Sequence, residues 1–165
     1  MTEQEKQVLA FAAAKKGKRF GDGECWTLVE RALESAKAVT STDIHGSELA
    51  NTVDYVWGEE ITIGAAGPGD IIQFEDGWNF TRTVSKPDGA EQSKTKGVRG
   101  HHTAIVERVI TRGIALKIIS QNLPVGTGVA SMDFYFAPTT FKEGENTVEI
   151  TVSGVATFYR PRRKP

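Results

Sequence analysis

The segment GDGECWTLVERALESAKA occupies residues 21–38 and holds the single cysteine of this 165-residue chain. From Cys25 onward, Leu28, Val29, Ala32, Leu33 and Ala36 recur at spacings of three and four, while Glu30, Arg31, Glu34 and Lys37 fall on the other side. That period predicts an amphipathic helix over 25–38. Gly21 and Gly23 flank Asp22, whose carboxylate suits the free amides at a helix start. A cysteine at such a start meets unpaired N–H groups and the positive end of the helix dipole, both of which favour a thiolate. The two glycines just ahead of it point to a close backbone approach there. The plainer alternative is a small buried hydrophobe on an apolar helix face.

Working outward, residues 2–16 predict a second helix: Val8, Leu9, Phe11 and Ala12 form its apolar stripe, and Gly17 stops it. Residues 40–68 are mixed, with a short helix expected around 47–53. After the turn signal Pro68-Gly69 the pattern changes to strands, over 70–75, 79–84, 102–110, 114–120, 128–136 and 148–159. The polar stretch 85–100 is expected to be a long loop, and a lid or plain disorder would both suit its composition. Helices first and strands after predict an α+β fold, and the length suits a single domain over 1–165.

Composition removes several function classes. Twenty Lys and Arg against twenty-one Asp and Glu leave a formal net charge of -1, so neither nucleic acid nor an anionic membrane surface has an electrostatic footprint to bind. The longest apolar run, 8–14, is far short of the roughly 20 residues that span a bilayer. It also lacks the flanks of a signal peptide. As the chain stands, a cytoplasmic location is expected, with export by a signal-independent route as the alternative. One cysteine excludes an internal disulfide, and one Cys with three His is too small a set for a structural zinc site. No metal, no cofactor and a monomer are the expectations.

The histidine partner for Cys25 is sought on the strands. His101 and His102 open one, and side chains alternate along it. His102 then shares a face with Ala104 and Val106, small neighbours that leave room for a helix tip, whereas His101 goes with Thr103 and Ile105; His102 is the preferred partner. The next strand closes with Ser120-Gln121-Asn122. A thiol–imidazole pair needs a third polar group to hold the ring tautomer, and Asn122 is favoured for it, with Gln121 in reserve and Ser120 on the same face as Asn122. Asp22, Trp26 and Trp57 are candidates to line the cleft, together with Tyr55 and Trp78, although aromatic residues more often belong to the core. His45 reads as surface.

In order, Gly23-Glu24-Cys25-Trp26, Gly69-Asp70-Ile71-Ile72-Gln73-Phe74, His102-Thr103-Ala104-Ile105-Val106 and Ser120-Gln121-Asn122 resemble the papain-like CHAP and NlpC/P60 domains. Narrower still, Gly21-Asp22-Gly23-Glu24-Cys25-Trp26, Tyr55-Val56-Trp57-Gly58, His101-His102-Thr103-Ala104 and the closing Tyr159-Arg160-Pro161 resemble the C-terminal cysteine-proteinase-fold domain of fungal actin-patch, myosin-tail-interacting proteins. The resemblance implies N-terminal helices packed on an antiparallel, partly barrel-like sheet. It also implies a cysteine hydrolase (an amidase or peptidase) in which Cys25 is the nucleophile, His102 the base and Asn122 the ring-orienting group, acting on an amide bond in a peptide or cell-wall peptide. Ser120, Gln121, Glu24 and His101 are auxiliary candidates. Two positions depart from CHAP practice: Glu24 stands where a Gln is usual, and Ser120 where a Glu is common. An ionised carboxylate at 24 cannot donate to an oxyanion and opposes a thiolate. The alternative expectation is therefore a catalytically silent papain-fold module that binds a protein partner.

Overall fold

The structure is a computed structural model that describes residues 1–46 and 54–165. Among the described residues three helices come first: α1 (Glu3–Ala14), α2 (Cys25–Ser35) and the short α3 (Ser41–His45). Ten strands follow: β1 (Glu59–Ile61), β2 (Ile71–Phe74), β3 (Asn79–Ser85), β4 (Glu91–Gly97), β5 (His102–Thr111), β6 (Ala115–Ser120), β7 (Ala130–Tyr135), β8 (Thr139–Glu143), β9 (Asn146–Ser153) and β10 (Ala156–Arg160). They form two antiparallel sheets, one of six strands ordered β1-β10-β2-β5-β6-β7 and one of four ordered β4-β3-β9-β8, not closed into a barrel. The fold is α+β, with the helices preceding the sheets as expected from the change of pattern near Pro68.

Each face of the six-stranded sheet covers its own core. Register places Ile71 opposite Ile105 and Ile105 opposite Ile119. These three pack against Val8 and Ala12 of α1 and Leu28, Val29 and Leu33 of α2. On the other face Ile72, Ala104, Val106 and Ile118 meet Phe74, Trp78, Phe80 and Phe134. A strand buried on both sides reads as a near-continuous apolar run, which is why β5 and β6 carry Ala-Ile-Val and Leu-Lys-Ile-Ile with little alternation. The α1 start follows its sequence: Thr2 caps it, the Thr2 hydroxyl accepting from the Glu5 N–H while the Glu5 carboxylate accepts from the Thr2 N–H.

Three sequence expectations change. The stretch 85–100 is an ordered hairpin, with Thr81 facing Thr95 at 2.8 Å and Thr83 facing Ser93 at 2.7 Å across β3 and β4. Its turn is Lys86-Pro87-Asp88-Gly89-Ala90, closed by Lys86 N–H to Ala90 O at 2.8 Å and Gly89 N–H to Lys86 O at 2.9 Å. β4 escaped the period-two test because every residue in it is exposed, so no apolar alternation exists to be seen. The expected strand 148–159 is two strands in different sheets, divided at Gly154. That glycine has φ 91°, and a Cβ on it would lie 2.8 Å from the Trp78 Cα, so only glycine fits the crossing. Finally, β1, α3 and β8 were not foreseen, and the helix expected around 47–53 lies outside the described residues.

Candidate functional site

Cys25 is the first residue of α2, half-buried. Glu24 precedes it as the N-cap without a side-chain cap bond, so the first-turn amides of α2 stay available to the sulfur and to whatever binds beside it. Asp22 works one step earlier than expected: its carboxylate accepts from the Glu24 N–H at 3.0 Å and from the Thr27 hydroxyl, and both bonds hold its pKa low. It shapes the approach to the helix and does not fill the cap itself.

The sulfur rests against β5. The Thr103 and Trp26 backbone N–H groups point at it and favour the thiolate, but burial outweighs them, Glu24 adds its charge, and the thiol is pushed up from its ordinary range. Thr103 lies on the sheet face that packs against α2, with Ile105, whereas the His102 side chain turns to the opposite face, so the expected pairing of His102 with Cys25 is not formed: its small neighbours Ala104 and Val106 meet the aromatic core and not the helix tip. No hydrogen bond joins sulfur and ring among the described residues. His102 is 5% exposed, on the face with Ala104 and Val106, its ring 6.0 Å from that of Phe74. Its Nε2 meets Ser120 Oγ at 2.5 Å. The Ser120 hydroxyl has an acceptor of its own in the Gln121 backbone oxygen at 3.5 Å. Assigned from that network, Ser120 Oγ accepts from Nε2–H, and Nδ1 keeps the lone pair. Burial, with no carboxylate beside the ring, lowers the His102 pKa to about 4.

The third group is therefore not the one expected. Asn122 does not reach His102. It sits at φ 64°, donates to the Glu24 carboxylate at 3.3 Å and accepts from the Gly126 N–H at 2.7 Å, which closes the turn after β6. The reason is alternation lost: the strand ends at Ser120, so Asn122 no longer follows its face. Gln121 does not orient the ring either. It is fully buried and turned to the α2 side, accepting from the Phe20 N–H at 2.7 Å and donating to the Phe20 and Glu24 carbonyls at 3.0 Å each.

The other candidates separate cleanly. Trp57 is not cleft-lining: it is fully buried in the helix-side core and donates to Gln73 Oε1 at 2.8 Å. Trp78 lies in the opposite core. Trp26 is half-buried and gives its indole N–H to Ser41 Oγ at 2.9 Å. With Phe11, Phe20 and Asp22 it lines an open groove of about 750 Å³ between α1 and α2. His101 pairs its Nδ1 with Asp54 at 2.6 Å on the surface, next to Tyr55, whose phenol burial pushes up from its ordinary pKa. His45 is exposed and accepts from the Val56 N–H. Residue type could not have revealed the Thr103 amide, because backbone groups leave no letter in a sequence.

Residues 4–161 match the AIM3/BBC1 cysteine proteinase-fold domain. The chain belongs to that family. It is the family whose motifs the sequence resembles, and the match spans every element from α1 to β10. No curated protein and no solved structure matched the chain. Membership establishes the cysteine-proteinase fold of this AIM3/BBC1-type domain; it does not extend to NlpC/P60 or CHAP amidase activity. Among the described residues there is no cluster of His, Cys, Asp and Glu suited to a metal ion, and no helix is long and apolar enough to cross a membrane.

Proposed function

We propose that this AIM3/BBC1-type domain is a catalytically silent papain-fold module whose groove between α1 and α2 binds a protein partner. The observation that carries the proposal is that the six-stranded sheet stands between the two groups a thiol hydrolase would need together. Cys25 lies on the α2 side, at the Thr103 N–H, and the His102 ring lies on the other side, against Phe74 and Ser120. Glu24 beside the sulfur also opposes a thiolate.

Burial and the Glu24 charge keep the thiol protonated, and burial keeps the imidazole neutral. A second reading is a cysteine hydrolase for amide bonds in peptides with Cys25 as nucleophile, favoured by its place at the start of α2, where free amides suit an oxyanion. Hydrolysis of a quenched fluorescent peptide library and of cell-wall peptides separates the two. No turnover by the wild type, with partner binding that survives Cys25→Ala, is expected. Turnover that falls to background in Cys25→Ala would establish the second reading in its place.

A further inference from the structure

We infer that the free edge of β4 is a second interaction surface, which takes an extended segment of a partner protein carrying acidic residues at alternate positions. It shares no residue with the groove between α1 and α2. β4 is the end strand of the four-stranded sheet and keeps unbroken register with β3, from Glu91 opposite Ser85 to Gly97 opposite Asn79. The two ends of that ladder fix which backbone groups it uses. Lys86 N–H donates to Ala90 O at 2.8 Å at the turn, and Val98 N–H donates to Trp78 O at 2.9 Å at the far end. Hydrogen-bonded and non-hydrogen-bonded pairs alternate in an antiparallel ladder, so Gln92, Lys94 and Lys96 turn their backbone groups to β3. Glu91, Ser93, Thr95 and Gly97 turn theirs outward, where no strand lies beside them among the described residues. Every residue of β4 is exposed, and no proline or bulge interrupts the row.

The side chains of the strand select what is added to it. On one side Lys94 stands opposite Arg82 and Lys96 opposite Phe80, and a hollow of about 210 Å³ is lined by Arg82, Val84, Gln92 and Lys94. Arg82 is paired with Glu143 at 2.6 Å, whereas neither lysine has an ion-pair partner among the described residues. On the other side Ser93 and Thr95 are tied to Thr83 and Thr81 through their hydroxyls. A segment laid along the edge bonds to the outward backbone groups, and its side chains meet Lys94 and Lys96 in the close, non-hydrogen-bonded pairs. Carboxylates on every second residue match both lysines. A second copy of this chain does not, because antiparallel pairing of Ser93 with the other copy's Thr95 sets Lys94 against Lys94, and like charges directly opposite repel. The lysines that keep a second copy off the edge are the ones an acidic strand pairs with.

The test uses the whole chain and a fluorescent peptide of about nine residues that alternates Glu with Val and Thr. Anisotropy titrations compare it with the same peptide carrying Lys for Glu. The Glu peptide is expected to bind about 10-fold or more tightly than the Lys peptide, with a gap that narrows at high salt. Thr95→Pro removes one outward N–H and leaves the bonds to β3 in place. It is expected to weaken binding by about 10-fold or more at a melting temperature close to that of wild type. Lys94→Glu combined with Lys96→Glu should turn the preference to the Lys peptide. Should Thr95→Pro fail to melt cooperatively, amide exchange in the wild type replaces it: the Ser93 and Thr95 amides are expected to slow by about 10-fold or more when the Glu peptide is bound. No binding of the Glu peptide, binding that Thr95→Pro leaves unchanged, or amides at 93 and 95 that exchange equally fast with and without it would each overturn the inference. So would a dimer that Thr95→Pro dissociates in sedimentation, since the edge would then belong to a second copy.

Discussion

His102 shows at the residue scale what burial does to a titratable group. Its imidazole stays neutral in the folded state until about pH 4, whereas an unfolded chain takes up the proton near 6.5. Between those values the unfolded state holds more protons, so stability rises with pH through the window and is lost as pH falls through it. The expected loss attributable to this residue is about 3 kcal/mol across the whole window. Urea unfolding at several pH values checks it: His102→Asn should show a flatter acid limb than wild type, and parallel limbs would contradict the assignment. Ser120 belongs to the same account. The sequence places its hydroxyl on the face of Asn122 and among the auxiliary candidates, but a Ser at a strand end carries no signal of what it bonds; only the register of β5 against β6 shows it beneath the ring.

At the element scale, α2 was almost wholly legible, from Cys25 at its first position to Leu28, Val29 and Leu33 on its buried face. Its 3.6-residue period and its bordering glycines both survive without tertiary information. α3 was not legible, because five residues cannot display a period. What holds α3 is a carboxylate from its neighbour. Glu30 of α2, 1% exposed, accepts from Ser41 N–H at 3.1 Å, Ser41 Oγ at 2.7 Å and Thr42 N–H at 3.1 Å. Glu30→Ala leaves these donors without an acceptor and is expected to cost about 3 kcal/mol of stability. Trp26, whose indole donates to the same Ser41 hydroxyl, should report the release as a shift in its fluorescence before global unfolding. A variant as stable as wild type would show that water satisfies the donors.

For the whole molecule, the first helix and the last strand are tied by one guanidinium. Arg160 of β10 lies 2.9 Å from Glu5 of α1 and 3.1 Å from Asp70 ahead of β2. Asp70 is fully buried, and burial raises its pKa against the pull of Arg160. Close by, Gly69 has φ 90°, and a Cβ there would lie 2.3 Å from Glu5 O. Helix and sheet therefore meet at backbone distance around a buried charge. Arg160→Ala strands the Asp70 carboxylate and should lower stability by about 3 kcal/mol, since removing one partner of a buried pair leaves an uncompensated charge. Adding Asp70→Asn should restore a good part of that loss, and no recovery would argue that Arg160 acts through packing alone. The Gly-Asp-Ile motif was visible in the sequence as a turn into a strand; that its Asp serves this junction follows only from where β10 lies in the sheet order.

The rate at which iodoacetamide modifies Cys25 at neutral pH, wild type against His102→Ala, bears most directly on the claim that the sheet separates thiol and imidazole. Rates equal within about 2-fold in two equally folded proteins are the predicted result. A reaction slower in His102→Ala by about an order of magnitude or more would mean that the sulfur uses the ring, and the domain would then carry a working thiol–imidazole pair.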